Sequence, residues 1–146
     1  MQSSNSKPLK CAIASDPAHH PLVQEAQNRI LEDVHRCGYD EQSTFAIRLA
    51  MQEAIINANK HGNQHDPDKK VRIEARISPE RAEIIIEDEG PGFSRDTVPD
   101  PTVEENLCKC SGRGILLMET YMNIVKWTKH GRRVRMVRIN QRHLTK

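Results

Sequence analysis

The longest uninterrupted run of helix-permissive residues, Glu41 to Gly62, holds no Pro or Gly before its last residue. That predicts a helix stopped at Gly62. On a wheel of about 100° per residue, Ile47, Met51, Ala54, Ile55 and Ala58 share one face. Phe45, Leu49 and Ile56 fall roughly opposite, and Arg48, Gln52 and Asn59 form the stripe suited to water. The remaining stripe carries Ala46, Ala50, Glu53, Asn57, Lys60 and His61. It runs between two apolar faces and is expected to point into the protein. A carboxylate and an amide there are costly without partners, and a bound ligand, above all a metal-phosphate, would supply them. A Glu and an Asn four apart are also an ordinary solvated helix pair, so this helix alone leaves both readings open.

The other apolar runs change period along the chain. Leu9 to Ser15 is short enough for a strand. From Leu22, apolar residues recur at Val23, Ala26, Ile30 and Val34, which predicts an amphipathic helix ending at Gly38. It would pack in the core or against a second copy of itself. Asn63 to Asp68 is a polar loop. Val71, Ile73, Ala75 and Ile77 then alternate with Arg72, Glu74 and Arg76, the pattern of a half-buried strand. Ser78 to Arg81 turns the chain into a second strand, Ala82 to Asp88, expected to be more deeply buried because Ile84, Ile85 and Ile86 are consecutive. Asp88 shares a face with Ile84 and Ile86. Ile115 to Met122 reads as a short apolar helix. Asn123 to Thr128 and Val134 to Asn140 read as two further strands. The order is strand, helix, helix, hairpin, loop, helix, hairpin. It predicts one α+β domain, a two-layer sandwich with helices on one face of a mixed, mostly antiparallel sheet.

Composition narrows the function. The 146 residues suffice for one domain, residues 9–146, after a polar and disordered N-terminal stretch, residues 1–8. With 22 Lys plus Arg against 20 Asp plus Glu, the net charge of +2 argues neither for nor against nucleic acid. Aromatic residues make up 3% of the chain, which speaks against base-stacking surfaces and direct nucleic-acid binding. No apolar run reaches the ~20 residues of a membrane helix, and the N-terminus lacks the apolar segment of a secretory signal. The expectation is a soluble cytoplasmic protein. The four cysteines include a Cys108-x-Cys110 pair with no second pair or His to complete a zinc set, so free thiols are expected. The basic residues Arg132, Arg133, Arg135, Arg138 and Arg142 read as a solvated edge, with an acidic partner as the other reading.

Two glycine-bearing stretches give the central helix its meaning. Asp88-Glu89-Gly90-Pro91-Gly92 allows a tight turn and a close backbone approach at a strand end. Gly112-Arg113-Gly114 precedes the short apolar helix, where free N–H groups and the helix dipole favour phosphate. Between them, Ser94 to Ser111 is long enough to serve as a lid. Taken singly, each stretch is also an ordinary turn.

In this order, the stretches resemble the N box (Glu53, Asn57, with Lys60-His61-Gly62), G1 box (Asp88, Gly90, Gly92) and G2 box (Gly112, Gly114) of the ATP-binding fold. That fold is shared by gyrase, Hsp90 chaperones, histidine kinases and mismatch-repair ATPases. Asn57-Ala58-Asn59-Lys60-His61-Gly62-Asn63 and Gly112-Arg113-Gly114-Ile115-Leu116-Leu117-Met118 bring the chain close to the bacterial anti-sigma factor serine kinases. The resemblance implies ATP and Mg²⁺ as cofactors. It implies Glu53 as general base, Asn57 as Mg²⁺ ligand and Lys60 as a phosphate partner, with His61 beside it. Asp88 would read the adenine amine, with Gly90 and Gly92 giving the base room. Gly112, Arg113 and Gly114 would hold phosphates. It also implies a sigma factor and an anti-anti-sigma antagonist as partners, and a homodimer. Family members often carry Thr in the turn before the last strand, where this chain reads Gly131-Arg132-Arg133-Val134. The alternatives are an ATP-binding switch module without transfer activity, a histidine kinase domain, and a purely structural domain. A histidine kinase would need a phosphoacceptor helix pair for which there is no room.

Overall fold

The structure, a computed structural model, describes residues 8–91 and 110–144, and of residues 110–113 and 143–144 the backbone alone. Of the predicted lid, Ser94 to Ser111, residues 94–109 lie outside the described residues, as do the N-terminal residues 1–7; the lid's last two residues fall in a helix. The elements are β1 (Leu9–Ala14), α1 (His20–Arg36), α2 (Glu41–Ile56), β2 (Lys70–Ile77), β3 (Arg81–Glu87), α3 (Cys110–Tyr121), β4 (Ile124–Thr128), β5 (Arg133–Ile139) and α4 (Gln141–Leu144). A π-helical turn, Asn57–Gly62, continues α2 without a break.

Local chemistry sets these boundaries. Helix α1 carries a Pro in its first turn, where no intrahelical donor is lost. Beyond its end, Gly38 takes φ +85°, the left-handed conformation that suits glycine. Helix α2 starts at Asp40, whose side chain accepts from the Ser43 N–H at 2.7 Å, an N-cap that satisfies a first-turn donor. That hydrogen bond holds the Asp40 carboxyl below its ordinary pKa.

The strands form one sheet in the order β1-β2-β3-β5-β4. A mixed, mostly antiparallel sheet was expected. All the pairings described are antiparallel, because each neighbour is reached by a hairpin or by a helical crossover that reverses direction. The helices cover one face. Val71, Ile73, Ile84, Ile86, Val134 and Met136 point into that layer and meet Ile30, Val34, Ile47, Met51 and Met118. Ile85, by contrast, points to the uncovered face and is only partly buried, so β3 is buried on one side and not through its whole apolar run.

The predicted basic edge is not an edge. Strand β5 lies between β3 and β4. Arg133 pairs with Glu87 at 3.6 Å and Arg135 pairs with Glu83, both across to β3 on the uncovered face. Arg138 points the other way. Its Nη1 donates to the Tyr121 carbonyl at the end of α3 at 2.7 Å, and its Nη2 to Ser43 Oγ in α2 at 3.3 Å. No helix among the described residues is long and apolar enough to cross a membrane.

Candidate functional site

The central helix is buried as its wheel predicts on the Ile47-Met51-Ala54-Ile55-Ala58 face. The opposite apolar stripe is not buried: Phe45 and Ile56 remain 51% and 46% exposed. Phe45 instead meets the edge of the Tyr121 ring, with centroids 6.0 Å apart. Helix α3 packs against α2, and this brings Gly114 in its first turns beside Glu53 and Asn57. A Cβ placed on Gly114 would lie 3.2 Å from Glu53 Oε1 and 3.3 Å from Asn57 Nδ2. Gly114 therefore leaves room for the carboxylate and the amide, which stand side by side and half-buried.

Gly112 and Arg113 do not precede the helix as expected. They lie within α3, which begins at Cys110, so the glycines belong to its first turns. Gly92 lies outside the described residues, as does Cys108.

The second pole of the site is at the far end of the same helix. Nine residues separate Glu53 from Gly62, ~13 Å of helix axis. There the π turn meets the end of β3 with no space to spare. A Cβ on Gly62 would sit 2.4 Å from Asp88 Oδ2, and one on Gly90 would sit 2.0 Å from the Gly62 carbonyl oxygen. Both positions need glycine because backbone touches backbone and carboxylate. Asp88 Oδ1 accepts from the Gly90 N–H at 2.8 Å, and the Asp88 N–H donates to the Arg132 carbonyl. Burial pushes the Asp88 carboxyl above its ordinary pKa; the Gly90 N–H and the Arg132 charge offset this in part. A half-buried carboxylate whose ionised form is undersupplied with donors is a ready acceptor for a ligand N–H.

His61 is half-buried, and its Nε2 is enclosed with no hydrogen-bond partner among the described residues. Burial and then the neighbouring Lys60 charge lower its pKa, which favours the neutral ring. Lys60 is exposed and turns toward a cavity between α1 and α2.

Sequence reasoning missed Asn63 and misplaced Asn59. Asn63 is 1% exposed and uses both ends of its amide. Its Oδ1 accepts from the Glu89 N–H at 2.7 Å. Its Nδ2 donates to the Lys70 carbonyl and to Ser15 Oγ, each at 2.9 Å. Ser15 Oγ in turn donates to Asn59 Oδ1 at 2.6 Å, so Asn59 faces a polar cluster and not open water. The one signal in the sequence was the four-residue spacing of Asn59 and Asn63, which puts both on one helical face.

The chain matches the family model described as "Histidine kinase-like ATPase domain" over residues 13–138. It is 31% identical to serine-protein kinase RsbW of Bacillus subtilis over 135 residues, 87% of this chain and 81% of that protein. It is 27% identical to serine-protein kinase RsbW of Listeria monocytogenes over 97 residues, 62% of each. It is 36% identical to the anti-sigma F factor of Shouchella clausii over 83 residues, 55% of this chain and 56% of that protein. The open sheet with its single helical layer, the glycine-tight junction at Asp88 and these matches lead to one assignment: the chain belongs to the histidine kinase-like ATPase domain family.

Proposed function

We propose that this chain is an ATP-dependent protein-serine kinase and anti-sigma factor. It would transfer the γ-phosphoryl group of ATP to a serine of an antagonist protein, and hold a sigma factor once that antagonist is phosphorylated and released. The observation that carries the reading is the Glu53–Asn57 pair packed beneath Gly114. A carboxylate and an amide share a half-buried stripe, and Gly114 of α3 sets no side chain against them. The relatives named serine-protein kinase and anti-sigma F factor support it from outside the structure.

The two poles divide the work. Asp88, held at the strand end, accepts a hydrogen bond from the exocyclic amine of adenine, and this selects ATP over GTP. Gly90 and Gly92 let the base approach. The triphosphate runs along α2 toward Asn57, with Lys60, His61, Gly112, Arg113 and Gly114 as its partners. Asn57 offers a hard amide oxygen, the kind of donor that holds Mg²⁺ jointly with phosphate oxygens. Bound there, Mg²⁺ would offset charge on the phosphates. Glu53 takes the proton of the serine hydroxyl as its oxygen bonds to the γ-phosphorus. The bond from that phosphorus to the bridging oxygen breaks, and ADP leaves. The working unit in this reading is a homodimer.

Titration calorimetry with ATP, with and without Mg²⁺, tests the site first. The expected result is Mg²⁺-dependent binding that an Asp88→Asn variant loses. Absence of ATP binding at about 1 mM would overturn the kinase reading in favour of a binding module. Glu53→Ala should keep ATP binding and lose on the order of a hundredfold or more of phosphoryl transfer. Unchanged transfer would remove Glu53 from the role of base.

A further inference from the structure

The turn before β5 stands out twice, by its two arginines in the sequence and by its backbone in the structure. Lys129, His130 and Gly131 take φ 54°, 57° and 84°, three left-handed residues in a row. For Lys129 and His130, which carry a Cβ, that conformation persists only where the surroundings hold it. Here they do. The Lys129 Nζ meets Glu87 at 3.2 Å. The Lys129 carbonyl accepts from both the backbone N–H and the Nε–H of Arg132, at 3.2 and 3.1 Å. Arg132 is thus tethered by its side chain as well as its backbone, and it is half-buried. Carrying the Glu87–Arg133 register one step further sets Arg132 opposite Asp88, whose N–H donates to the Arg132 carbonyl at 2.9 Å. Strand alternation puts Arg132 on the side of Val134 and Met136, and Asp88 on the side of Ile84 and Ile86, the face under the helices. Residues opposed in this way carry Cβ atoms about 5 Å apart.

We propose, on the reading of Asp88 as the base-binding group, that Arg132 is a positioning residue acting through Asp88: its fixed positive charge keeps the carboxylate a pure acceptor and so sets the preference for a 6-amino over a 6-oxo purine. An ionised carboxylate only accepts, whereas a protonated one also donates. Because Oδ1 takes the Gly90 N–H, the added proton would sit on Oδ2. There it would offer a donor to a 6-oxo group, and the discrimination would be lost. Burial drives Asp88 towards that state, and of the charges around it Arg132 opposes burial most strongly. Glu87 on the same strand works against Arg132, and Lys69 before β2 assists it. The next residue, Glu89, accepts from the Lys70 N–H at 2.8 Å. The π turn meets Asp88 with Gly62. Its titratable residues are His61, whose neutral ring is favoured, and Lys60, which lines the cavity between α1 and α2.

The test compares binding of ATP and inosine triphosphate, its 6-oxo counterpart, to the full chain with Mg²⁺ between pH 5 and pH 8. Their ratio cancels the titration of the triphosphate, which both share. The parent should prefer ATP on the order of a hundredfold at pH 8 and lose this preference on acidification. Arg132→Gln keeps a donor for the Lys129 carbonyl and removes the charge. Its loss of preference should set in at higher pH, because removing a cation disfavours the carboxylate. At the pH where the parent keeps half of its preference, the variant should show roughly a third of the parent's value or less. Arg132→Met should match it, and Arg132→Lys should restore the parental profile. Equal profiles for the parent and both neutral variants would overturn the proposal and leave ATP binding at Asp88 standing. A lysine variant that behaves like the neutral ones would overturn it too, since charge would then not be the cause. A parent that binds no ATP, or binds both nucleotides alike at every pH, would overturn the base-binding reading of Asp88 itself, and the role of Arg132 with it.

Discussion

Single residues in this protein separate what stabilises the fold from what equips the site. Asp88 is the clearest case. Its folded pKa is raised, chiefly by burial. The stability it contributes is therefore full below the unfolded carboxylate value and is lost as pH rises through the raised folded value. At neutral pH the ionised Asp88 is a cost to the empty protein. Asp88→Asn keeps an Oδ1 acceptor for the Gly90 N–H and removes the charge. It is expected to unfold at the same temperature as the parent or higher at pH 7, and to lose this component of the pH dependence. Thermal unfolding of both proteins between pH 3 and pH 8 checks it; a variant clearly less stable at pH 7 would contradict the assignment. Asp40 has the opposite sign. Its pKa is lowered by capping α2, so its contribution is present above the unfolded value and disappears as pH falls through the folded one. Gly114 makes the same separation sterically. It lies within α3, where Ala in place of Gly ordinarily gains about 1 kcal/mol. The 3.2–3.3 Å contacts of its added Cβ fall on the ends of the Glu53 and Asn57 side chains and not on backbone. Gly114→Ala should thus leave stability within about 1 kcal/mol of the parent while lowering phosphoryl transfer on the order of tenfold or more, by displacing both side chains. Denaturation and transfer assays on the same preparation decide it.

At the scale of elements, α2 with its π turn is the axis of the site, and Asn63 ties its last turn to the segments around it. Asn63 joins three elements: the end of β1 through Ser15, the start of β2 through the Lys70 carbonyl, and the Asp88–Gly90 turn through the Glu89 N–H. Asn63→Ala would leave several of these buried groups unpaired. The expected loss is roughly 3 kcal/mol of stability, measured by urea unfolding, together with weaker ATP binding through a loosened Asp88 turn. An Asn63→Ala protein of parental stability would show that the network is dispensable. These elements were largely legible in the sequence. The run from Glu41 to Gly62, the alternation from Val71 to Ile77 and the turn at Ser78–Arg81 all encode local periods, and local periods survive folding. What was not legible arose between elements. The start of α3 at Cys110 moved Gly112 and Gly114 into a helix. The burial of Asn63 depends on three segments meeting. The position of β5 inside the sheet turned a supposed basic edge into cross-strand pairs with Glu83 and Glu87. Glu53, Asn57, Asp88 and the glycines stood out because polar residues on apolar faces and glycines at strand ends are anomalies in a one-dimensional pattern. Asn63 did not, because an amide in a polar loop looks ordinary until its burial is known.

On the scale of the whole molecule, one helix carries both poles of the site, and the sheet behind it is a rigid support. The uncovered face is tied by ion pairs across β2, β3 and β5, with Glu87 receiving Arg72 and Arg133 at 3.6 Å and Lys129 at 3.2 Å. Exposed pairs of this kind contribute little each, and salt screens them, so the core beneath the helices sets global stability. Ligand binding along α2 is then expected to act on the molecule as one cooperative unit. In the proposed site, ATP would contact the β3 end at Asp88 and the α3 start at Gly114, so unfolding either element would release it. At a hundredfold excess over Kd the gain is about 2.7 kcal/mol, which for a domain of this size moves the midpoint by roughly 5–10 °C. The same shift should appear whether unfolding is followed by the single Trp127 on β4 or by far-ultraviolet helix signal, because both report the same transition. Asp88→Asn should show no ATP-induced shift by either probe. Two separate transitions in the presence of ATP, with only the helical signal displaced, would instead mean that the nucleotide holds the α2–α3 layer alone and that the sheet melts independently of it.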